Sequence, residues 1–376
     1  MSSLNEADFL ASLERVAKVA AHNAQDVDAR GRFPAESINA LREEGLLALF
    51  SDASVGGMGG TLEHAARAVE RIARECASSA MVLCMHYCGT AVIEKFGQES
   101  VRREITAGKH LSTLAFSEQG SRSHFWAPVS TATKVDGGVR LDAHKSWVTA
   151  ASDATAYVWS SKPIGSEGAS TIWLVPRGAK GLKIAAAFDG LGLRGNDSAP
   201  VVAEGVVIPE SHRLGNDGQG FDVMMGVVLP VFSLLNSACS VGLMEAAVGR
   251  AIAHVTGTKH QHLNSSIADL PTVRAYLSRA KLRTDAARCL WQDSLSAIAN
   301  GRADAQLRVL ESKALTNECA LEVTDLAMRV CGGAAFRKES GVERAFRDAR
   351  AGFVMAPTSD ALYEFMGRAL VGLPLF

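Results

Sequence analysis

The sequence predicts an α+β protein in which an N-terminal helical domain, a middle antiparallel β domain and a C-terminal helical bundle follow one another. Apolar residues recur at helical spacing up to about residue 110 and again beyond about residue 212. Between them, short alternating runs are rich in Thr, Val and Trp and are punctuated by Gly, Pro and Asp. The predicted domains are residues 1–110, 111–212 and 213–376, with the middle one a β-sandwich or barrel.

Composition favours a globular protein with a large buried core. The chain has 376 residues, of which 47% are hydrophobic and 21% charged. A net charge of -1 argues against nucleic-acid binding, because such proteins usually carry a basic surplus. Seven cysteines, an odd number without zinc-ligand spacing, predict neither a disulfide framework nor a metal site. No signal peptide and no uninterrupted apolar stretch of about 18 residues is seen, so a cytoplasmic protein without a membrane partner is predicted.

Each predicted element has its own signal. A glycine-rich run at 55–60 is interpreted as a connector, since no strand precedes it and the Gly-Lys-Ser/Thr of a phosphate loop is missing. Two apolar stripes predict the first helices: Phe9, Leu13, Val16 and Ala20, then Ile38, Leu41 and Leu46. Strands are predicted at 130–134, 139–141, 156–160, 171–175 and 206–208. Helices without strands are predicted at 234–255, 270–298, 303–330 and 360–370.

Several short motifs fall in a fixed order along nearly the whole chain. They are Gly56-Gly57, Phe96-Gly97-Gln98-Glu99, Leu114 to Ser123, Lys145 to Thr149, Leu191 to Ser198, and Glu343 to Arg350. In this order they resemble motifs of the acyl-CoA dehydrogenases, a family of flavoproteins. The strongest single match is the last, which is close to the family run Glu-Arg-x-x-Arg-Asp-Ala-Arg. The resemblance implies the α–β–α fold of that family and FAD as cofactor.

Two of these motifs contain the residues that the resemblance assigns to the flavin ring. In the segment from Leu114 to Ser123, it implies that Phe116, Ser117 and Ser123 contact the flavin. In the Lys-x-Trp-Val-Thr strand, it implies that Trp147 stacks on the ring and that the Thr149 hydroxyl bonds near N5. The period of two along a strand predicts that Trp147 and Thr149 point to one face.

Further cofactor contacts follow from the C-terminal motifs. The resemblance implies that Gly332 and Gly333 form a turn against the adenosine diphosphate part of FAD bound by a neighbouring subunit, because glycine permits close approach. Thr358 is retained from the family's Tyr-Glu-Gly-Thr segment and is predicted to bind cofactor. Sites shared between subunits predict a homodimer or homotetramer.

One family signature for FAD is missing. Residues 256–265 replace the usual Arg-x-x-Phe-Gly, whose side chains touch the pyrophosphate and adenine. Lys259 or His260 is a candidate to replace the arginine charge, and adenine stacking has no assigned residue. FAD is the predicted cofactor, with FMN as the alternative.

The catalytic position departs from the family. Counting from Arg350 places Ala356 where the family has the glutamate that removes the substrate's α-proton. The other family location for the base, on the first long C-terminal helix, offers no carboxylate in residues 229–234. Losing a positioned base costs about 100- to 10,000-fold in rate, so a substitute base is sought. The nearest candidates by sequence are His124, Asp360 and Glu364.

Three functions are consistent with these residues. The leading prediction is an FAD-dependent oxidoreductase that acts on CH–CH groups. It would desaturate an acyl thioester, carried by CoA or an acyl carrier protein, at the α,β position with a non-standard base, and pass electrons to an acceptor. A flavin monooxygenase on the same fold, supplied by a flavin reductase, needs no α-proton removal. A catalytically silent protein that binds flavin or acyl thioester is the third alternative.

Overall fold

The computed structural model describes residues 4–121, 124–262 and 264–374. Helices occupy the first and last parts of the chain and two four-stranded sheets lie between them, so the predicted fold class is confirmed. The helices are α1 Glu6–Arg30, α2 Ala35–Glu43, α3 Leu62–Ala73, α4 Ala77–Phe96, α5 Glu99–Thr106, α6 Gly220–Val223, α7 Leu229–Gly257, α8 Pro271–Ala299, α9 Ala305–Cys331, α10 Val342–Val354 and α11 Ser359–Leu370. The strands are β1 Ser112–Ala115, β2 Thr131–Val135, β3 Gly138–Val148, β4 Ala156–Ser161, β5 Thr171–Pro176, β6 Leu182–Ile184, β7 Ala199–Ile208, β8 Arg213–Leu214, β9 Lys259–His260 and β10 Ser265–Ser266.

The first helix shows how local sequence sets the helix bounds. Asn5 caps the N-terminus of α1, with its side-chain oxygen accepting from the backbone N–H of Ala7 at 3.0 Å. Gly31 ends the helix in the left-handed conformation, with φ 59°, which glycine adopts without strain. The apolar stripe predicted between these ends is buried in the helical core.

The two sheets pack face to face in the middle of the chain. One has the strand order β1-β4-β5-β8 and the other β2-β3-β7-β6. Along β4, Tyr157 and Trp159 belong to the core between the sheets, whereas Val158 packs into the helical core on the other side. Because both faces of this first sheet are covered, its central strands read as continuous buried runs.

Three details of the β elements differ from the sequence prediction. β1 pairs with β4 in parallel, so the middle domain is not wholly antiparallel. β3 runs through Val148 as one strand, because it pairs with β7 across two register shifts rather than ending after residue 141. The C-terminal part, predicted to lack strands, contains the two-residue hairpin β9–β10 between α7 and α8.

The long helices α7, α8 and α9 pack against one another as the C-terminal bundle. A π-helical turn, Met224–Val228, joins α6 to α7, and Pro230 in the first turn of α7 lacks the N–H that a regular helix would use there. The continuous segment Gly220–Gly257 is long and apolar enough to cross a membrane by length and composition. Its most apolar window is 78% buried inside the protein, as in a core helix of a soluble protein.

Two buried histidines, His86 on α4 and His110 just before β1, lie where these two elements pack together. The His86 side chain makes two bonds that fix its neutral form: Nε2 donates to the carbonyl of Leu47 at 2.9 Å, and Nδ1 accepts from the N–H of Ser112 at 3.0 Å. Burial lowers the pKa of His86 from 6.5 to about 4. Burial, together with the His86 ring, lowers the pKa of His110 to about 4 as well.

We predict that these histidines make the fold sensitive to acid. A folded-state pKa below the unfolded value means that stability is present above pH 6.5 and is lost as the pH falls toward 4, by roughly 3 kcal/mol per histidine. The urea midpoint of His86→Gln should fall less between pH 7 and pH 5 than that of the wild type. His22→Gln, at an exposed position of α1, is the matched control. Equal pH slopes for wild type and His86→Gln would contradict this account.

Candidate active site

A cavity of about 590 Å³ lies where the first sheet meets the helices. This volume is within the range of about 300–1,000 Å³ that is usual for small-molecule sites. Its walls come from α4, the segment after β1, the end of β3, residues 188–198, the start of α7 and the end of α10. The cavity therefore gathers segments that are far apart in sequence and belong to all three parts of the chain.

A buried ion pair fixes the segment that follows β1. The Lys145 ammonium on β3 contacts the Glu118 carboxylate at 2.5 Å, and both side chains are at most 1% exposed. Glu118 also accepts from the backbone N–H groups of Val129 and Ser130, at 2.7 and 2.9 Å. Burial alone would raise the pKa of Glu118, but Lys145 and these donors lower it below its ordinary value. Glu118 is therefore an ionised anchor rather than a free proton acceptor.

The neighbouring backbone is joined to the same strand. The N–H of Ser146 donates to the carbonyl of Ser117 at 2.9 Å, and that of Gln119 to the carbonyl of His144 at 3.3 Å. These bonds and the ion pair set Ser117 beside the end of β3, and Trp147 and Thr149 line the same cavity. The two motifs predicted to contact the flavin thus form one unit.

Trp147 has an unusual backbone conformation. Its φ is 56°, in the left-handed region that bulky residues rarely enter, and the β3–β7 register shifts between Lys145 and Val148. Both Trp147 and Thr149 line the cavity, at a point where the pairing of β3 with β7 is irregular. The indole is 62% exposed, and its ring centre lies 4.1 Å from that of Phe188.

The loop of residues 188–198 is held by the charged helix α10. The Leu193 N–H donates to the Asp348 carboxylate at 2.7 Å, and burial raises the pKa of Asp348 to about 6. Arg347 reaches Asp28 at the end of α1, with 2.6 Å between Nη2 and Oδ2. On the cavity side, the Ser198 hydroxyl lies 3.3 Å from that of Thr149. The run that resembles the family most closely is thus ion-paired and positions a cavity wall.

The cavity wall at Ala356 is apolar. Ala356 lines the cavity beside Val354 and Met355, and Phe232 of α7 lies in the same lining. Among the described lining residues, Glu118 is the one carboxylate, and it is engaged by Lys145. No side chain that could take a proton is therefore found along this wall in the part of the chain that the structure describes.

The structure brings some of the predicted residues together and not others. Phe116, Ser117, Trp147 and Thr149 all line the cavity, together with Ala356. Ser123, the fifth predicted ring contact, lies outside the described residues.

The remaining predicted contacts and bases lie outside the lining of the cavity. Gly332 and Gly333 follow the end of α9, and a side chain at either would meet open space. Thr358 caps α11, its hydroxyl accepting from the N–H of Ala361 at 3.4 Å. The candidate bases His124, Asp360 and Glu364 are exposed. Within residues 4–121, 124–262 and 264–374, no group of three or more His, Cys, Asp or Glu side chains could hold a metal ion.

Three family models match consecutive parts of the sequence. The acyl-CoA dehydrogenase N-terminal, middle and C-terminal domains match residues 6–108, 113–206 and 218–371, nearly the whole chain. The chain belongs to the acyl-CoA dehydrogenase family. Members of this family are FAD-dependent oxidoreductases that act on CH–CH groups, so the predicted family, enzyme class and cofactor are confirmed. A tetramer is typical of the family.

Individual relatives agree over similar lengths. A probable acyl-CoA dehydrogenase of Mycobacterium leprae is 26% identical over 361 residues, which cover 94% of this chain and 92% of the relative. The structure of butyryl-CoA dehydrogenase from Megasphaera elsdenii superposes with a TM-score of 0.90 at 21% identity, covering 99% of this chain and all of the other. A prolyl acyl carrier protein oxidase, AnaB, superposes with a TM-score of 0.87 at 18% identity, covering 97% and 99%. The two structures show a shared fold.

Sequence reasoning missed several residues that shape this acyl-CoA dehydrogenase cavity. Lys145 and Glu118 belong to the two motifs predicted to contact the flavin. A lysine at a strand position that is otherwise buried could have predicted an ion pair. Phe188 lies in a loop without periodicity, so no pattern marked it. Phe232 reads as one more apolar residue of a core helix, and its place in the lining depends on how α7 packs.

We predict that breaking the Glu118–Lys145 pair unfolds the cavity wall. Lys145→Met leaves a buried carboxylate without its cation and should cost about 3–5 kcal/mol of unfolding free energy, with loss of bound flavin. The double variant Glu118→Gln/Lys145→Met should lose less than the two single changes added together. Thermal unfolding and the flavin-to-protein absorbance ratio measure both effects.

The matched control for this prediction is an exposed pair in the second sheet. Lys183 and Glu204 lie on neighbouring strands and are 65% and 56% exposed, so Lys183→Met should cost less than about 1 kcal/mol. If Lys145→Met is no more destabilising than Lys183→Met, the pair does not anchor the cavity.

Proposed function

We propose that the chain binds FAD and an acyl thioester, carried by CoA or an acyl carrier protein, in this cavity and desaturates the acyl chain at the α,β position. The observation that carries the proposal is the convergence of Phe116, Ser117, Trp147 and Thr149 on one cavity that Ala356 also lines. The electrons would pass to a protein acceptor.

The residues of the cavity fit a flavin ring. The exposed indole of Trp147 offers an aromatic face, and the hydroxyls of Ser117 and Thr149 offer hydrogen-bonding groups beside it. When bound, FAD would supply the two-electron acceptor for the hydride that leaves the β-carbon of the substrate. Met85, Leu114 and Phe125 make the adjoining lining apolar, which excludes water and suits an acyl chain.

Removal of the substrate's α-proton is the step in which this chain would differ from a family member that has a positioned glutamate. Because the described residues of the wall at Ala356 include no proton acceptor, desaturation requires His124, Asp360 or Glu364 to turn toward the cavity, or proton transfer to solvent. The expected rate is therefore about 100- to 10,000-fold below that of a site with a positioned base.

A flavin monooxygenase is the second candidate, and the apolar wall at Ala356 favours it. Such an enzyme removes no α-proton from its substrate, and it takes electrons from a flavin reductase. Anaerobic titration of the purified flavoprotein with butyryl-, octanoyl- and palmitoyl-CoA separates the candidates. Bleaching by an acyl-CoA alone supports the dehydrogenase and excludes the monooxygenase. A catalytically silent protein would bind flavin, but neither an acyl-CoA nor a reductase would reduce it.

The assembly is proposed as a homodimer or homotetramer. Phe336, three residues after Gly333, is 81% exposed, and Leu282 of α8 is 69% exposed. Large apolar side chains at such exposure suit a subunit interface, and Phe336 lies next to the predicted shared turn. Sedimentation of the flavoprotein gives the subunit number, and a monomer would contradict the proposed sharing of FAD between subunits.

We predict that Ala356→Glu restores a fast desaturation step. The new carboxylate would enter the cavity where the α-proton leaves, so anaerobic bleaching by the best acyl-CoA should accelerate about 100-fold or more. Ala356→Gln is the matched control, since it has the same size without a base. If the two variants bleach at equal rates, position 356 does not face the reacting carbons.

We also predict that Trp147 contributes to flavin affinity. Trp147→Ala should raise the FAD dissociation constant about tenfold, equivalent to roughly 1.4 kcal/mol, because an aromatic face is lost. The change is measured by flavin fluorescence during reconstitution of the apoprotein. Val207→Ala, an exposed apolar residue of β7 outside the cavity lining, serves as control. An unchanged constant for Trp147→Ala would place the ring elsewhere.

A further inference from the structure

Lys313 of α9 is a fully buried cation that the proposed reaction does not use. Its Nζ donates to three backbone carbonyls: Pro357 at 2.8 Å, Met355 at 3.0 Å and Gly352 at 3.5 Å. Two of these carbonyls flank Ala356 on either side. The ammonium therefore holds the turn that follows α10 at the catalytic position.

The ammonium of Lys313 is surrounded by apolar and neutral groups. The other elements packed around the ammonium contribute the Cys84 thiol from α4, the Phe232 ring from α7 at 5.8 Å, and the carbonyls at the end of α10. Burial lowers the pKa of Lys313 to about 7. Burial and the neighbouring Cys88 raise the pKa of the Cys84 thiol, so it stays neutral.

The ammonium stands directly behind the cavity wall. The Phe232 ring, 5.8 Å from the ammonium, lines the cavity, and so does Met355, whose carbonyl accepts from Lys313. Ala356 lies between Met355 and Pro357, the two residues whose carbonyls the ammonium bonds, and also lines the cavity. The last carbonyls of a helix have no partner within the helix, and a cation there satisfies them and complements the helix dipole.

Asn317, one turn further along α9, seats the same segment. A side chain in place of Gly352 would come within 2.1 Å of the Asn317 amide oxygen, so the end of α10 lies directly on this face of α9. The Asn317 side chain is held in turn by Ser240 at 2.6 Å and Asn236 at 2.9 Å. One face of α9 thus supports the turn at two points.

We propose that Lys313 is a positioning residue that clamps the turn of residues 352–357 and thereby sets where position 356 meets the cavity. The protonated ammonium has three hydrogens for three carbonyls, whereas the neutral amine has two. The clamp therefore weakens as Lys313 loses its proton. The inference rests on the proposed function in one respect, since it takes the cavity as the reaction site.

Hydrogen exchange of the flavin-loaded protein, followed by mass spectrometry from pH 6 to pH 9, tests the clamp. After correction for the intrinsic rate, peptide 352–357 should exchange about tenfold faster in Lys313→Met than in wild type at pH 6. The wild-type rate should rise toward the variant as the pH passes through about 7, and the variant should show no such rise. A peptide within residues 235–248 of α7 should exchange equally in both proteins.

Two results would overturn the clamp: equal exchange of peptide 352–357 in wild type and Lys313→Met, or equal loosening of the α7 peptide. If Lys313→Met does not fold, the wild-type pH profile decides, and a flat profile contradicts the proposal. Lys313→Arg, which keeps its charge across this range, should show a flat and protected profile.

The link to catalysis is tested in the Ala356→Glu background. Adding Lys313→Met should slow bleaching by acyl-CoA at least tenfold, while flavin content is unchanged. If Ala356→Glu itself shows no bleaching, the proposed function fails, but the exchange experiment still decides whether Lys313 clamps the turn.

Discussion

The buried pair of Glu118 and Lys145 is the interaction on which the cavity depends. It joins the segment after β1 to β3 at a point where neither side chain reaches water. Breaking such a pair is costly because the remaining charge has no solvent to stabilise it. The pair therefore fixes Ser117 and Trp147 relative to each other, although Ser117 follows β1 and Trp147 belongs to β3. The strained φ of Trp147 persists because the flanking residues are held in place, Lys145 by the pair and Val148 by β7.

The cavity wall at Ala356 is stabilised differently from the wall that the buried ion pair fixes. There the wall at Ala356 is apolar, and the polar support lies one layer behind it, in Lys313 and Asn317 of α9. The chain thus has the fold of an acyl-CoA dehydrogenase, and the described residues of this wall include no carboxylate. Such a wall is compatible with desaturation by a proton acceptor elsewhere or with a reaction that removes no proton.

Much of the fold was predictable because the period of the apolar residues changes sharply at about residues 111 and 213. Four of the five predicted ring contacts meet at one cavity, since the motifs that carry them end on adjacent elements. What the sequence could not supply depends on tertiary geometry. The parallel pairing of β1 with β4 and the bulge before Val148 are set by packing, and Lys313 reads as an ordinary helix lysine until α9 is placed against α10.

The central claim is that this cavity holds the flavin ring between Trp147 and Thr149, with Ala356 facing the substrate side. A crystal structure of the protein with its flavin and a bound acyl-CoA tests it most directly. The account predicts the ring against these two residues and the α-carbon of the acyl chain beside Ala356. A ring bound elsewhere, or an α-carbon that lies away from Ala356, would contradict it.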